Sequence, residues 1–190
     1  MAALQNLGAL ACAALSATVG ASALGIRVAS LAGLAISAYA LYVEARLAAD
    51  DDYAPPCDIK KGRLKGASCS SVFTSPHGKI LSKWKLVRRG SALDFSNAAL
   101  GAAFYVMTAL HDALLPAAPP LLLLAACAAS LLFSAYLAYI LRYVLKEFCV
   151  VCYSMYAVNV ALAVLAAARV AAGGSAGVCG GGMGGSGGEL

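Results

Sequence analysis

Cys149 and Cys152 stand three positions apart in EFCVVCYSMYAVNV, at the head of a long uncharged segment. On a helix, positions i and i+3 share a face, so this C-x-x-C pair can close a disulfide or hold two thiols side by side. The first turn of a helix presents unsatisfied N–H groups and a partial positive charge, both of which stabilise a thiolate. The spacing therefore predicts lowered thiol pKa values here. Such a thiolate attacks a disulfide sulfur or an electrophilic carbon; the competing reading is a structural disulfide. Cys57 and Cys69 flank DIKKGRLKGAS, a polar, basic stretch that can bend at Gly62 and Gly66. A loop of this kind can carry a cysteine from one partner to another, as attack along an S–S axis requires. A static bridge stapling the loop fits the spacing equally well. Four cysteines also raise the question of zinc, but a structural zinc ribbon carries two C-x-x-C knuckles and only one is present, so no metal is expected. Cys12 and Cys127 lie in Ala-rich runs and read as small buried hydrophobes; Cys179 falls in a Gly-rich tail.

The elements that must position these sulfurs are apolar helices. Of 190 residues, 62% are hydrophobic and 12% charged, with a mean hydropathy of +0.80, whereas a soluble domain is about half apolar and a quarter charged. The chain is expected to be an all-α integral membrane protein, a single four-helix bundle occupying residues 27–170. A bilayer core takes about 20 apolar residues of helix, which predicts spans near 28–46, 97–115, 121–141 and 148–168. Pro116, Pro119 and Pro120 make a tight break between the middle two. Residues 1–26 are an apolar extension that reads in three ways: a signal-like segment without a basic start, a fifth span, or a helical continuation of the first span. Residues 171–190 read as a disordered Gly-rich tail. Four spans put the connections 47–96 and 142–147 on one side of the membrane, so the long cysteine-bearing loop between the first two spans meets the C-x-x-C pair there. Most Lys and Arg residues lie in that long loop. Beside spans they suit lipid headgroups, and no nucleic-acid site is expected.

Asn97 and Tyr156 are polar donors within the spans, and in low dielectric such donors need partners. A ligand carbonyl inside the bundle would satisfy both; a helix–helix hydrogen bond or an interfacial tyrosine is the alternative. Asn159 reads as helix–helix glue. Phe104 and Tyr105 are either packing or one wall of a flat hydrophobic pocket.

CDIKKGRLKGASCSSVFTS, DFSNAALGAAFY and EFCVVCYSMYAVNVAL occur in that order, preceded by RVASLAGLAISAYALYVEAR. Together they resemble the vitamin K epoxide reductase family in its small form, without a fused thioredoxin domain. The resemblance implies a four-helix membrane bundle that reduces quinones or vitamin K epoxide as substrate, with no tightly bound cofactor. It makes Cys149 and Cys152 the active-site pair, with Cys152 attacking the substrate and Cys149 exchanging with Cys69. Cys57 and Cys69 would collect electrons from a thioredoxin-like partner. Asn97 and Tyr156 would hydrogen-bond the quinone oxygens, with Phe104 beside them. The same wiring run backwards is a thiol oxidase that supplies disulfides to folding proteins; a non-enzymatic membrane protein with static disulfides is the third reading. The Cys57–Cys69 loop is longer than in animal members, His77 stands where they carry tryptophan, and Leu100 where they carry phenylalanine. The charge bias of the cysteine side favours the cytosol, but a dithiol relay needs an oxidising compartment, so the endoplasmic reticulum membrane is expected, with the cysteines in the lumen.

Overall fold

The computed structural model describes residues 2–50, 52–58, 68–88, 91, 94–115 and 118–180, with the backbone alone for 2–19, 76 and 173–180. Among the described residues the fold is all-α, as expected, with no strand. Helix α1 runs from Ala2 to Ala49, and no proline or glycine pair interrupts it. Its backbone passes without a break from the N-terminal extension into the first span. Arg46 lies in its last turn, where a cation complements the partial negative charge of the helix end. Two short helices follow, α2 (Cys69–Thr74) and α3 (Ile80–Lys83), joined by a 3-10 turn at Pro76–Gly78. Then come α4 (Asn97–Leu114), α5 (Pro120–Tyr139) and α6 (Val150–Gly180). Ser96 caps α4 by accepting the Ala99 N–H at 3.2 Å. α5 opens on Pro120, whose missing N–H is not needed at a first helical position. α5 then widens into a π-helical segment, Ile140–Leu145, and stops at Lys146, which takes a left-handed conformation with φ 56°.

Among the described residues three segments are long and apolar enough to cross a membrane: Gly20–Ala49, Pro120–Leu145 and Val150–Ala172. α4 was expected as a further span, but it is not one of them. Its 18 residues rise about 27 Å, and Asn97, His111 and Asp112 lower its hydropathy. The tail expected from residue 171 also needs correction, because the backbone stays helical to Gly180. Each added residue of an established helix gains a hydrogen bond without a new nucleation cost, so a Gly- and Ala-rich sequence with little core-forming power still extends α6. Residues 181–190 lie outside the described residues.

α1 packs against both α4 and α6, and α5 packs against α6. Buried small residues allow the close approach: Ser30, Ser37 and Ala40 on α1 are fully covered. Ser30 and Thr108 share a buried hydroxyl hydrogen bond of 2.8 Å between α1 and α4. One apolar cluster, with Ile26, Tyr105, Leu123, Cys127 and Leu162, fills the end far from the C-x-x-C pair. The other, with Ala40, Cys69, Val72, Leu141 and Cys149, surrounds the sulfurs. At the far end Asp112 of α4 receives Arg169 of α6 through two contacts, 2.8 and 3.1 Å, with Arg27 of α1 at 4.0 Å. Planar two-point pairing of guanidinium with carboxylate is the strong form of this contact. Asp112→Ala leaves Arg169, only 20% exposed, without its partner. The expected result is a loss of about 1–2 kcal/mol, read as a lower unfolding midpoint in detergent; an unchanged midpoint would show that the pair does not hold α4 in place.

Candidate active site

Four sulfurs line up where the long loop meets the head of α6. Cys57 lies in a turn, and the Asp58 carboxylate beside it caps α2. Asp58 Oδ1 accepts the N–H groups of Cys69 (2.5 Å) and Ser70 (3.1 Å), and Oδ2 accepts the Ser70 hydroxyl at 2.5 Å. This cap ties the two arms of the loop together and brings the Cys57 and Cys69 sulfurs within 4.8 Å of each other. Ser68 donates its N–H to the Phe148 carbonyl at 3.0 Å, which lashes α2 to the residue before Cys149. As a result the fully buried Cys69 and Cys149 sulfurs stand 3.6 Å apart. The Cys152 N–H in turn points at Cys149 Sγ, 3.3 Å away. Cys57, Cys69, Cys149 and Cys152 are all free thiols.

Burial and the neighbouring Cys69 thiol push the Cys57 thiol up to about 12. Cys69 is raised by its hydrogen bond to Cys149 and by burial. Cys149 sits one residue ahead of the spanning segment, and there the lowered pKa expected from its helix-end position is overturned. Its hydrogen bond with the Cys152 thiol and its burial push it up, against the pull of the Cys69 thiol and the Cys152 N–H. The Cys152 contact and burial together outweigh both donors. The Cys57 value carries a pH signature. Below about pH 12 the thiolate fraction rises about tenfold per pH unit, and only the thiolate is nucleophilic. Alkylation of Cys57 by iodoacetamide, followed by mass spectrometry, is expected to accelerate in that way from about pH 7 to 10; a plateau near pH 9 would place the thiol in an unshielded site.

A cavity of about 430 Å³ opens beside the sulfurs, between α4, α5 and α6. Cys152, Tyr156 and Asn159 of α6 form one wall, Asn97, Leu100 and Phe104 of α4 a second, and Phe133, Leu137 and the π-helical Ile140 and Leu141 a third. The segment from α2 to Trp84 roofs it, through Val72, Phe73, His77, Ile80 and Trp84. Its size lies in the range of small-molecule sites, and its lining is apolar with few polar groups. The Tyr156 hydroxyl has no hydrogen-bond partner among the described residues. Asn97 has two: its Nδ2 donates to the His77 carbonyl at 2.7 Å, and its Oδ1 accepts the Ile80 N–H at 3.3 Å. Asn97 therefore latches the roof to α4, and one Nδ2 hydrogen remains for the cavity. Burial and the Lys83 ammonium hold the His77 imidazole below its usual pKa, consistent with a neutral ring accepting from Lys83 at 2.9 Å. Deeper in, the Tyr105 hydroxyl donates to Asn159 Oδ1 at 2.9 Å, and Asn159 Nδ2 donates to Ser134 Oγ at 2.7 Å. Asn159 thus joins α4, α5 and α6, as the reading of it as glue expects.

The sequence profile described as the vitamin K epoxide reductase family matches residues 24–167, which takes in all four of these cysteines and the whole cavity. The chain belongs to the vitamin K epoxide reductase family. It is similar to the vitamin K epoxide reductase complex subunit 1 of Mus musculus and to that of Rattus norvegicus. Each is 38% identical over 141 residues, covering 74% of this chain and 85% of the relative. Membership makes this chain a membrane redox enzyme, in keeping with its free thiols and apolar helices. In this family member the predicted residues Cys57, Cys69, Cys149 and Cys152 come together as one run of sulfurs, and Cys152, Asn97, Phe104 and Tyr156 share one cavity. Three residues with clear roles went unflagged in the sequence. Asp58 had no local signal, because Ser68 is the residue next to α2 and Asp58 reaches that helix end from the other arm of the loop. Trp84 and Phe133 had none, because their contact at 6.4 Å joins the roof to α5 across the fold.

Proposed function

We propose that this enzyme reduces a quinone or vitamin K epoxide with electrons relayed from Cys57 and Cys69 to Cys149 and Cys152. A thioredoxin-like dithiol reduces the Cys57–Cys69 disulfide and is itself oxidised. Cys69 thiolate attacks Cys149 of the Cys149–Cys152 disulfide, forming a Cys69–Cys149 bond and releasing Cys152 as a thiolate. Cys57 then attacks Cys69, which frees Cys149 and re-forms the Cys57–Cys69 disulfide. With both C-x-x-C thiols reduced, the Cys152 sulfur adds to the substrate ring. Cys149 attacks Cys152 sulfur, the S–C bond breaks, and its electron pair leaves on the ring. Two electrons and two protons have then passed to a quinone, giving a quinol; for an epoxide the oxygen leaves as water and the quinone forms.

The Tyr156 hydroxyl and the spare Asn97 hydrogen polarise the substrate oxygens, and donors aimed at developing negative charge in a dry site are strong contributors. The bundle has four spans, α4 included, lies in the endoplasmic reticulum membrane and keeps its sulfurs on the lumenal side. One observation carries the reading: the 3.6 Å gap between Cys69 and Cys149 sulfur joins two cysteine pairs whose inner member borders an apolar cavity. The test is quinol formation from menadione by purified protein in detergent with dithiothreitol, followed by absorbance. Turnover proportional to enzyme supports the reading, and a rate equal to that of dithiothreitol alone sinks it.

A further inference from the structure

Cys57 Sγ, Cys69 Sγ and an Asp58 carboxylate oxygen all lie within 4.8 Å of one another. Two soft sulfurs and a carboxylate are a ligand set that suits zinc and its relatives. The carboxylate is already fixed, because the Cys69 and Ser70 N–H groups and the Ser70 hydroxyl hold it. Hydrogen-bonded support of this kind orients a ligating carboxylate. A further donor stands next to the cluster: Cys149 Sγ is 3.6 Å from Cys69 Sγ. Two thiolates on one tetrahedral zinc, each about 2.3 Å from the metal, are about 3.8 Å apart, so that pair already has the edge length of a zinc site. The two-knuckle spacing that a zinc ribbon needs is missing from the sequence; the fold assembles the ligands instead.

We propose that the reduced enzyme binds one thiophilic divalent cation, Zn²⁺ or Cd²⁺, through Cys57, Asp58 and Cys69, with Cys149 as the nearest fourth donor. Each ligating thiol releases its proton to solvent, and no sulfur changes oxidation state. Because each sulfur binds as thiolate, affinity increases with pH. Once formed, the Cys57–Cys69 disulfide has no thiolate to offer, so binding is confined to the reduced enzyme. A bound cation occupies both sulfurs of the outer pair and stops electron hand-over. This inhibitory consequence rests on the relay proposed above, whereas the binding itself rests on geometry alone.

The probe is Co²⁺, titrated anaerobically into reduced protein in detergent and then displaced by Zn²⁺. The expected result is a sulfur-to-cobalt charge-transfer band that saturates at one cobalt per chain. It vanishes when the same protein is first oxidised with diamide, a control that needs no variant. Cys57→Ser is expected to abolish the band, and Asp58→Asn to weaken affinity about tenfold or more. Cys152→Ser retains the band although the relay requires it to be inactive, so the two readings fail separately. Absence of the band in reduced protein, its survival after oxidation, or its persistence in Cys57→Ser would overturn the site.

Discussion

Cys152→Ser is expected to lower dithiol-driven quinone turnover about a thousandfold or more, equivalent to about 4 kcal/mol of barrier. The substitution is nearly isosteric, so the cavity wall that Cys152 helps form stays in place. What disappears is the sulfur: a serine hydroxyl is a poor nucleophile at neutral pH and cannot form a disulfide with Cys149. Because residues acting as one unit fail together, Cys149→Ser is expected to lose nearly as much. Cys127→Ala is the contrast. Cys127 is buried among Ile26, Leu123 and Leu162, away from the cavity and the other sulfurs, and its loss should leave turnover close to that of the parent. The geometry adds a chemical readout to the kinetic one. A Cys57→Ser/Cys152→Ser protein retains only Cys69 and Cys149 of the four. Their sulfurs, 3.6 Å apart, need to close to about 2.05 Å to bond. Mild oxidation should accumulate that disulfide, and peptide mapping without reductant would find it. If Cys152→Ser turns over at the parental rate, Cys152 does not attack the substrate.

The second large effect concerns packing. A Cβ placed on Gly33 of α1 would fall 2.5 Å from Tyr105 Cε1, 2.6 Å from Cζ and 2.7 Å from Cδ1. The ring has nowhere to go. Tyr105 is 1% exposed, and its hydroxyl bonds Asn159 Oδ1 at 2.9 Å and the Met155 carbonyl at 3.3 Å. Gly33→Ala is therefore expected to destabilise by about 3 kcal/mol, as overpacking does, even though alanine is the better helix former. The sign should reverse in a Tyr105→Ala background. There the new methyl meets space, and the helical preference for alanine over glycine contributes about 1 kcal/mol of stabilisation. A double-mutant cycle on unfolding midpoints in detergent measures the difference. Additive effects would mean that α1 and α4 do not approach as closely as the Gly33–Tyr105 contact requires.

These two predictions draw on different depths of information. Cys152 was legible as a candidate residue because C-x-x-C at the head of an apolar run is a local pattern, and the order of motifs around it points to one family. Tyr105 was read only as packing or as a wall. Its importance comes from a glycine on another helix, and nothing within either segment marks the pair. Asn97 is intermediate. It was picked out as a polar residue at the start of a span, yet its amide also holds the roof of the cavity through the backbone at His77 and Ile80. The expected lowering of the C-x-x-C pKa failed at Cys149 for the same reason: a helix end is visible in sequence, but the thiols packed around it are not.

By itself the sequence determined the membrane class, most of the helix positions, the family and the identity of the four cysteines. Apolar length, proline breaks and residue spacing are properties of neighbouring positions along one chain, so they can be read without a fold. Only the tertiary structure decided that Cys69 faces Cys149 across 80 residues, that Asp58 fastens both arms of the loop, and that α4, α5 and α6 leave a cavity under α2 and α3. Those outcomes depend on the rotation and depth of each helix against its neighbours. Close contacts between small and large side chains on different helices set both, and no periodicity within a single segment encodes them.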